Sequence, residues 1–388
     1  MQERLEEGQG LYLHIPFCLK KCSYCDFYSL PASSAIIDRY GRALEKELAF
    51  KALSYGSMPV NTLYLGGGTP SLLSAQALGS IMDSIKACWE LDEQAEISLE
   101  ANPATLDEGR LQSIREAGFN RISLGVQSFQ DQELKILGRS HSAQDARDSI
   151  EMIKDSGLSN FNLDLIYGIP GQTISKWQEN LAQALGAEPA HISVYLLQLD
   201  EQTPLARDIR SGYFQLSSED REAEMYDLAV KMIEEAGLVQ YELSNFARPG
   251  QECRHNLGYW RAREYVGIGA GAVSFKAGGR FLNQRNLVGY LEKLEKEQEP
   301  ETEELERMER AELAADAIIL GLRLCEGINL EDFVHRYGIN ILEHYRDIVE
   351  EYTGRQLLTL NNGWLRLSRQ AYFVSNQVIC HFMPDLES

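Results

Sequence analysis

Three cysteines near the start of the chain are the residues whose type and spacing could do unusual chemistry. Cys18, Cys22 and Cys25 stand at C-x3-C-x2-C in Cys-Leu-Lys-Lys-Cys-Ser-Tyr-Cys. This is neither a two-cysteine redox pair nor a complete four-cysteine zinc or ferredoxin set. Thiolates are soft ligands suited to iron–sulfur clusters, zinc or copper(I). Three of them on a four-iron cube leave one iron unclaimed, and a small chelating molecule could take it for reductive chemistry. Zinc with a remote fourth ligand, or thiols without metal, are the alternatives that the spacing leaves open. Lys20 and Lys21 either favour the thiolates or are ordinary loop lysines.

Such a loop needs a frame, and the sequence supplies a repeating one. A short apolar strand over 11–15 leads into the cysteines, and a helix with one apolar stripe follows over 35–54. Further strands are expected over 61–65, 96–100, 121–126, 161–167 and 191–196. Helices run between them, with Ser74, Thr105 and Thr173 as N-caps. Six strand–loop–helix units imply a parallel sheet. Unusual residues fall at strand C-termini, which share one mouth in a barrel. Gly66-Gly67-Gly68-Thr69-Pro70 ends the second strand, and Glu100, Gln127 and Asp164 stand at or near the ends of later ones. The expected fold is therefore α/β, a partial (β/α)6 TIM-like barrel, with a doubly wound open sheet as the rival.

Beyond residue 200 the rhythm changes. Ser217 or Ser218 begins a helix over 219–236, and Val239–Phe246 reads as a strand. Residues 247–283 are rich in Gly and Arg and include His255-Asn256-Leu-Gly-Tyr259-Trp260. The charged stretch over 286–305 reads as a solvated helix face or linker. Helices near 308–321, 329–336 and 341–352, then strands near 357–360 and 364–367, form a smaller α+β region with a winged-helix-like end. The expected domains are 1–215, 216–300 and 301–388.

The chain has 388 residues and a formal net charge of -21. That balance argues against a general nucleic-acid binder. No apolar run is long enough to span a membrane. The N-terminal MQERLEEGQG has no signal-peptide core. Cys88, Cys253, Cys325 and Cys380 are scattered and read as free thiols, which fits a reducing cytosol.

LYLHIPFCLKKCSYCDFYS, with GGGTP at 66–70, resembles the radical S-adenosylmethionine (SAM) superfamily. Within it the chain is similar to the oxygen-independent coproporphyrinogen III oxidase group, and most of all to the shorter haem-chaperone branch, HemW. YELSNFARPG at 241–250, HNLGYW at 255–260 and SNQV at 375–378 carry the same likeness, which spans residues 9–383. It implies a radical SAM barrel with a [4Fe-4S] cluster on Cys18, Cys22 and Cys25. It further implies SAM held by Tyr12, Gly67, Gly68, Thr69, Glu100, Gln127, Arg139 and Asp164. The rival for Arg139 is a structural bridge to Asp164. Reductive cleavage of SAM would give methionine and a 5′-deoxyadenosyl radical.

Two departures separate the chain from the oxidases. Their fourth cysteine would stand at position 27, where this chain has Phe27, and only about ten residues precede the first strand, against a longer extension in the oxidases. The resemblance then implies a haem chaperone that binds haem and delivers it to membrane-bound respiratory haem proteins. An electron donor such as flavodoxin or ferredoxin and a cytoplasmic location, with transient association with membrane proteins, go with that. His255 is the expected haem ligand, with Tyr259 and Trp260 stacked on the porphyrin; the alternative is a small apolar anchor in which His255 is hydrogen-bonded. The oxidase activity and a catalytically silent cluster-binding protein are the other readings, and whether the chain is an enzyme stays open. Reconstituting oxygen-free protein with iron and sulfide is expected to load about four irons per chain. Uptake of zinc in their place would sink the cluster.

Overall fold

The computed structural model describes residues 8–383. The acidic stretch before Gly8, read above for targeting signals, lies outside the described residues. Six strands pair side by side in parallel: β1 (Gln9–Ile15), β2 (Val60–Gly67), β3 (Leu91–Ala101), β4 (Arg121–Gln127), β5 (Phe161–Tyr167) and β6 (His191–Leu196). Their spatial order is their chain order. No strand order reverses, so the doubly wound rival fails and the wall is that of a partial (β/α)6 barrel.

The crossovers carry α1 (Ser34–Tyr55), α2 (Ala75–Cys88), α3 (Glu108–Glu116), α4 (Asp131–Leu137), α5 (Ala143–Ser156) and α6 (Ile174–Gly186). Ser74 and Thr173 accept from backbone N–H groups in the first turns of α2 and α6, as N-caps do. Thr105 does not cap α3. It closes a short 3-10 turn, and Asp107 accepts from the Arg110 N–H instead. The sequence offers two capping residues there, and the turn after Pro103 takes the first.

Side chains alternate across each strand. On β1 the residues Leu11, Leu13 and Ile15 are fully buried and join α1 and α2 in the main apolar core. The opposite face carries Tyr12 and His14 on β1, Tyr64 on β2, Glu100 on β3 and Asp164 on β5. Parallel strands covered on both faces normally read as continuous apolar runs. These do not, because the inner face of the barrel is polar.

The chain then continues through α7 (Pro204–Arg210) and α8 (Glu219–Glu235), the latter capped by Ser218. The strand expected over 239–246 is a turn flanked by β7 (Val239–Gln240) and β8 (Asn245–Ala247), with β8 antiparallel to β6. After α9 (Arg254–Trp260), β9 (Tyr265–Ile268) pairs in parallel with β1. β10 (Val273–Lys276) and β11 (Gly279–Asn283) follow. The charged stretch over 286–305 is not a simple linker. It forms α10 (Leu287–Glu295) and the first part of β12 (Thr302–Arg307), an exposed edge strand on β11. Dense charge on an edge keeps it from pairing with other chains. Among the described residues the sheet has 12 strands.

Near the C-terminus α11 (Arg310–Gly321), β13 (Ile328–Asn329) and α12 (Leu330–Tyr337) are followed by α13 (Ile341–His344) and α14 (Arg346–Gly354). β14 (Leu358–Asn361) and β15 (Trp364–Leu367) complete a three-stranded sheet with β13. Ile318, Leu322, Phe333, Leu365 and Phe382 belong to an apolar cluster of their own. Among the described residues no helix is long and apolar enough to cross a membrane.

Glu47 on α1 ties the late strands to the barrel. It is fully buried and accepts from Gly269 N at 2.7 Å, Asn283 Nδ2 at 2.6 Å and Tyr290 Oη at 2.5 Å. Burial pushes its carboxyl above the usual range. Glu47→Ala strands three buried donors and is expected to lower unfolding stability by roughly 3 kcal/mol, read by urea denaturation. A loss within experimental error would show that these bonds do not join the two halves.

Candidate functional site

The cysteine loop is pinned at its neck and at its middle. Cys18 N donates to Leu30 O at 3.1 Å, and Leu30 N to Pro16 O at 2.8 Å. Ser23 N donates to Leu137 O and Leu205 N to Ser23 O, both at 2.9 Å. Gly138 ends α4 with φ 71°, and a Cβ there would sit 2.3 Å from Ser23 Oγ. Glycine lets the loop lie on the helix end.

Cys18, Cys22 and Cys25 are free and half-buried. Burial pushes the thiols of Cys18 and Cys25 up. Thr69 Oγ1 donates to Cys18 Sγ at 3.7 Å, and Arg139 Nη1 to Cys22 Sγ at 3.5 Å. Lys20 is exposed, and Lys21 Nζ donates to Phe27 O at 3.0 Å, so neither contacts a sulfur by a hydrogen bond. Among the described residues no group of three or more His, Cys, Asp or Glu could hold a metal ion. A four-iron cube takes one thiolate per iron, so its cysteines need not converge on a point.

The glycine element lies against this loop. Gly67 has φ 110°, and a Cβ on it would meet the His14 ring at 2.5 Å. A Cβ on Gly68 would meet Phe17 O at 2.5 Å. Gly67 N donates to Glu100 Oε2 at 3.0 Å, and Tyr64 Oη to Glu100 Oε1 at 2.9 Å. Burial first, and the Asp164 carboxylate second, push Glu100 up to about 7. Asp164 accepts from Asn162 Nδ2 at 2.7 Å and Ser123 Oγ at 3.2 Å, and burial raises it as well.

Arg139 does not bridge to Asp164. Its Nη2 donates to Gly125 O at 2.6 Å, and its buried Nε has no partner. Gln127 takes φ 65°, and its buried Oε1 also lacks a partner. Unpartnered buried polar atoms are costly and rare. Two of them beside a sulfur loop and a side-chain-free rim fit a polar ligand, so the donor set suits a cluster with SAM.

Tyr12 Oη meets His14 Nδ1 at 3.0 Å, and His14 Nε2 meets Tyr28 O at 3.0 Å. A carbonyl only accepts, so His14 carries its proton on Nε2 and accepts from Tyr12. Tyr12 stacks on Tyr64 and on His255, at 6.3 Å between centroids in both pairs.

His255 is enclosed on the inner face. It is 2% exposed, at the start of α9. Nδ1 meets Thr62 Oγ1 and Nε2 meets Tyr259 Oη, both at 2.8 Å. Burial, then the Arg121 charge, lowers its pKa to about 3. Both ring nitrogens are hydrogen-bonded, as the alternative to a haem ligand expects. Glu96 accepts from the backbone N–H of Arg254 and His255, which seats α9 against β3. Cys253 is fully buried, and burial pushes its thiol up to about 12.

The sequence reading missed Tyr64, Ser123 and Asn162, which hold Glu100 and Asp164. It also missed His191, which joins Asn162 Oδ1 at 2.6 Å to Tyr241 Oη at 2.8 Å. The signal was present as period-two polar residues on strands that a parallel sheet should bury.

Residues 12–184 match the radical SAM superfamily model, and residues 308–374 match the HemN C-terminal domain. The chain is 34% identical to the heme chaperone HemW of Bacillus subtilis over 379 residues, covering 97% of this chain and 100% of that protein. It is 39% identical to the HemW of Escherichia coli over 264 residues, covering 68% of this chain and 69% of that one. The solved structure of coproporphyrinogen III oxidase (HemN) from Escherichia coli superposes with a TM-score of 0.84 at 20% identity, covering 100% of this chain and 94% of that chain. At that identity the likeness is one of fold.

Glu100 gives a pH test. Its folded pKa, about 7, lies above the ordinary 4.5. Its stabilising contribution is thus complete below the unfolded pKa and lost as pH rises through 7. Glu100→Gln is expected to gain on wild type by up to roughly 2–3 kcal/mol between pH 5 and pH 8, read by denaturant melts. A pH-independent difference would contradict the assignment.

Proposed function

The chain belongs to the radical SAM superfamily and, within it, to the HemW family, and on that footing we propose that it is a haem chaperone carrying a [4Fe-4S] cluster and SAM. One observation supports the cofactor half most directly. The cysteine loop, the glycine rim and the unpartnered Gln127 and Arg139 atoms meet at the C-terminal ends of β1, β2 and β4. Cys18, Cys22 and Cys25 hold the cluster in this reading, and Tyr12, Gly67, Gly68, Thr69, Glu100, Gln127, Arg139 and Asp164 surround SAM. With both groups bound, the cluster supplies the electron for reductive cleavage of the sulfonium.

The chain's own residues orient and shield. The carbonyls of the glycine rim accept from an ammonium, because no side chain stands in the way. Arg139 presents a fork of donors suited to a carboxylate. Asp164 keeps lone pairs for ribose hydroxyls after taking Asn162 and Ser123. Glu100 fixes the backbone of Gly67. Tyr12 and the helix α9 beneath it close the inner face to water.

The haem half rests on kinship with the HemW proteins and on Phe27, 62% exposed, at the position of the oxidase cysteine. Delivery to membrane-bound respiratory haem proteins, electrons from a flavodoxin or ferredoxin, and a cytoplasmic setting belong to the same reading. His255 acts here as a positioning residue that holds α9 to β2 through Thr62.

The deciding assay gives cluster-loaded protein, SAM and reductant under anaerobic conditions, with haem and coproporphyrinogen III offered separately. A Soret band with haem and no protoporphyrinogen IX from the porphyrinogen is the expected result. Turnover of the porphyrinogen would replace the chaperone by an oxidase. In the same preparation Gln127→Ala is expected to weaken SAM binding by about tenfold while leaving iron content unchanged.

A further inference from the structure

Lys20 and Lys21 stand between two of the cysteines, yet neither is hydrogen-bonded to a sulfur. Both are exposed, and so are their loop neighbours Leu19, at 55%, and Phe27, at 62%. Among the described residues Lys20 makes no hydrogen bond or ion pair. Lys21 Nζ donates to Phe27 O at 3.0 Å, which draws the two ends of the loop together. The other loop side chains reach inward. Tyr24 packs with Leu137 and Leu205, Cys18 lies beside Thr69, and Cys22 beside Arg139. Exposed apolar residues scattered singly need no explanation. Two on one short loop, beside the proposed reactive centre, mark a contact surface.

Charge narrows the partner. The chain has a net charge of -21. Against that background the loop carries Lys20 and Lys21 with Asp26 as its one carboxylate. The helix α7 abuts the loop through the bond from Leu205 N to Ser23 O, and it adds Arg207 and Arg210 against Asp208. A positive spot on a strongly negative protein attracts an acidic partner, and the rest of the surface repels it.

The chemistry of the loop gives the partner's class. Reductive cleavage needs an electron delivered to the cluster. Electron tunnelling falls off exponentially with distance, so the donor's redox centre has to come close to the sulfurs. A protein seated on Leu19, Lys20 and Lys21 touches the segment that joins Cys18 to Cys22.

We infer that the outer face of the cysteine loop is the docking site of an acidic electron-carrier protein, with Leu19 and Phe27 as apolar contacts and Lys20 and Lys21 paired with its carboxylates. The inference rests on the cluster reading and adds where the electron enters. One electron leaves the carrier's flavin or iron–sulfur centre and enters the cluster; the carrier is oxidised, the cluster is reduced, and no bond is made or broken. Encounters between redox proteins bury less than roughly 1,200 Å² in all, so one loop and the neighbouring helix suffice.

The test compares the full chain with its Lys20→Glu and Lys20→Glu/Lys21→Glu variants, each reconstituted anaerobically with iron and sulfide. Reduced flavodoxin and reduced ferredoxin, both acidic, are mixed with each protein in stopped flow. Photoreduced deazaflavin, a small uncharged donor, serves as the reductant that needs no docking face. Binding of the oxidised carriers is measured by calorimetry. At low salt at least one carrier is expected to bind and reduce wild type. The double variant is expected to bind that carrier, and to be reduced by it, at least about tenfold less well. The gap should narrow as salt rises from about 0.01 M to 1 M, where the Debye length shrinks from roughly 30 Å to 3 Å. Iron content and reduction by deazaflavin should not change. Lys20→Glu, which breaks no hydrogen bond, carries the test by itself if the double variant loads less iron. Equal carrier rates and affinities in wild type and variants would overturn the docking face and leave the cluster reading standing. So would a wild type that deazaflavin reduces and neither carrier does. Wild type that takes up no reducible cluster would remove both.

Discussion

A polar group taken out of water has to meet a partner or hold a place for a ligand, and the inner face of β1–β6 applies that constraint throughout the barrel. Most of its groups are matched. Thr62 meets His255, which meets Tyr259. Asn162 joins Asp164 to His191 and Tyr241. Glu96 receives the first amides of α9. Gln127 and Arg139, where the inner face meets the cysteine loop, keep atoms without partners. Ser98 Oγ and Arg121 Nε, lower on the same face, are unpartnered as well, so what sets the mouth apart is that its unpartnered atoms stand beside the cysteine loop.

The same constraint explains how the cysteine loop is presented. Backbone hydrogen bonds anchor the loop at Cys18, Ser23 and Leu30, and Tyr24 packs on a small apolar cluster with Leu137 and Leu205. Two of these ties reach α4 and α7, elements far along the chain. Side chains then approach the sulfurs from two strands' ends, Thr69 after β2 and Arg139 beyond β4. Glycines at 67, 68 and 138 keep the approach clear where a Cβ would collide.

Outside the six-stranded wall the sheet is extended from both sides, by β8 and β7 beyond β6 and by β9 to β12 beyond β1. Glu47 adds one buried carboxylate to the apolar seam by which Val266, Ile268, Tyr290 and Leu294 of the second extension join the main core. The charged β12 then ends the sheet. The C-terminal helices and small sheet bury their own cluster, joined to the rest by residues such as Leu243 and Ala262.

Sequence alone determined whatever depends on neighbours within a turn or a pleat. The six parallel strands, the caps at Ser74, Thr173 and Ser218, and the cysteine spacing belong there. So does the polar alternation on the strands, although it takes a barrel to say that the polar face points inward. Tertiary structure decided what depends on residues far apart in the chain. His255 looked like a free ligand because its partner Thr62 is remote in sequence, and Arg139 chose Cys22 and Gly125 over Asp164 for the same reason. Thr105 lost its cap to Asp107 because a proline turn intervened. The acidic stretch became an edge strand because β11 offered it a backbone to pair with. Local pattern records which face a side chain takes; only the closed chain settles whether something already stands opposite it.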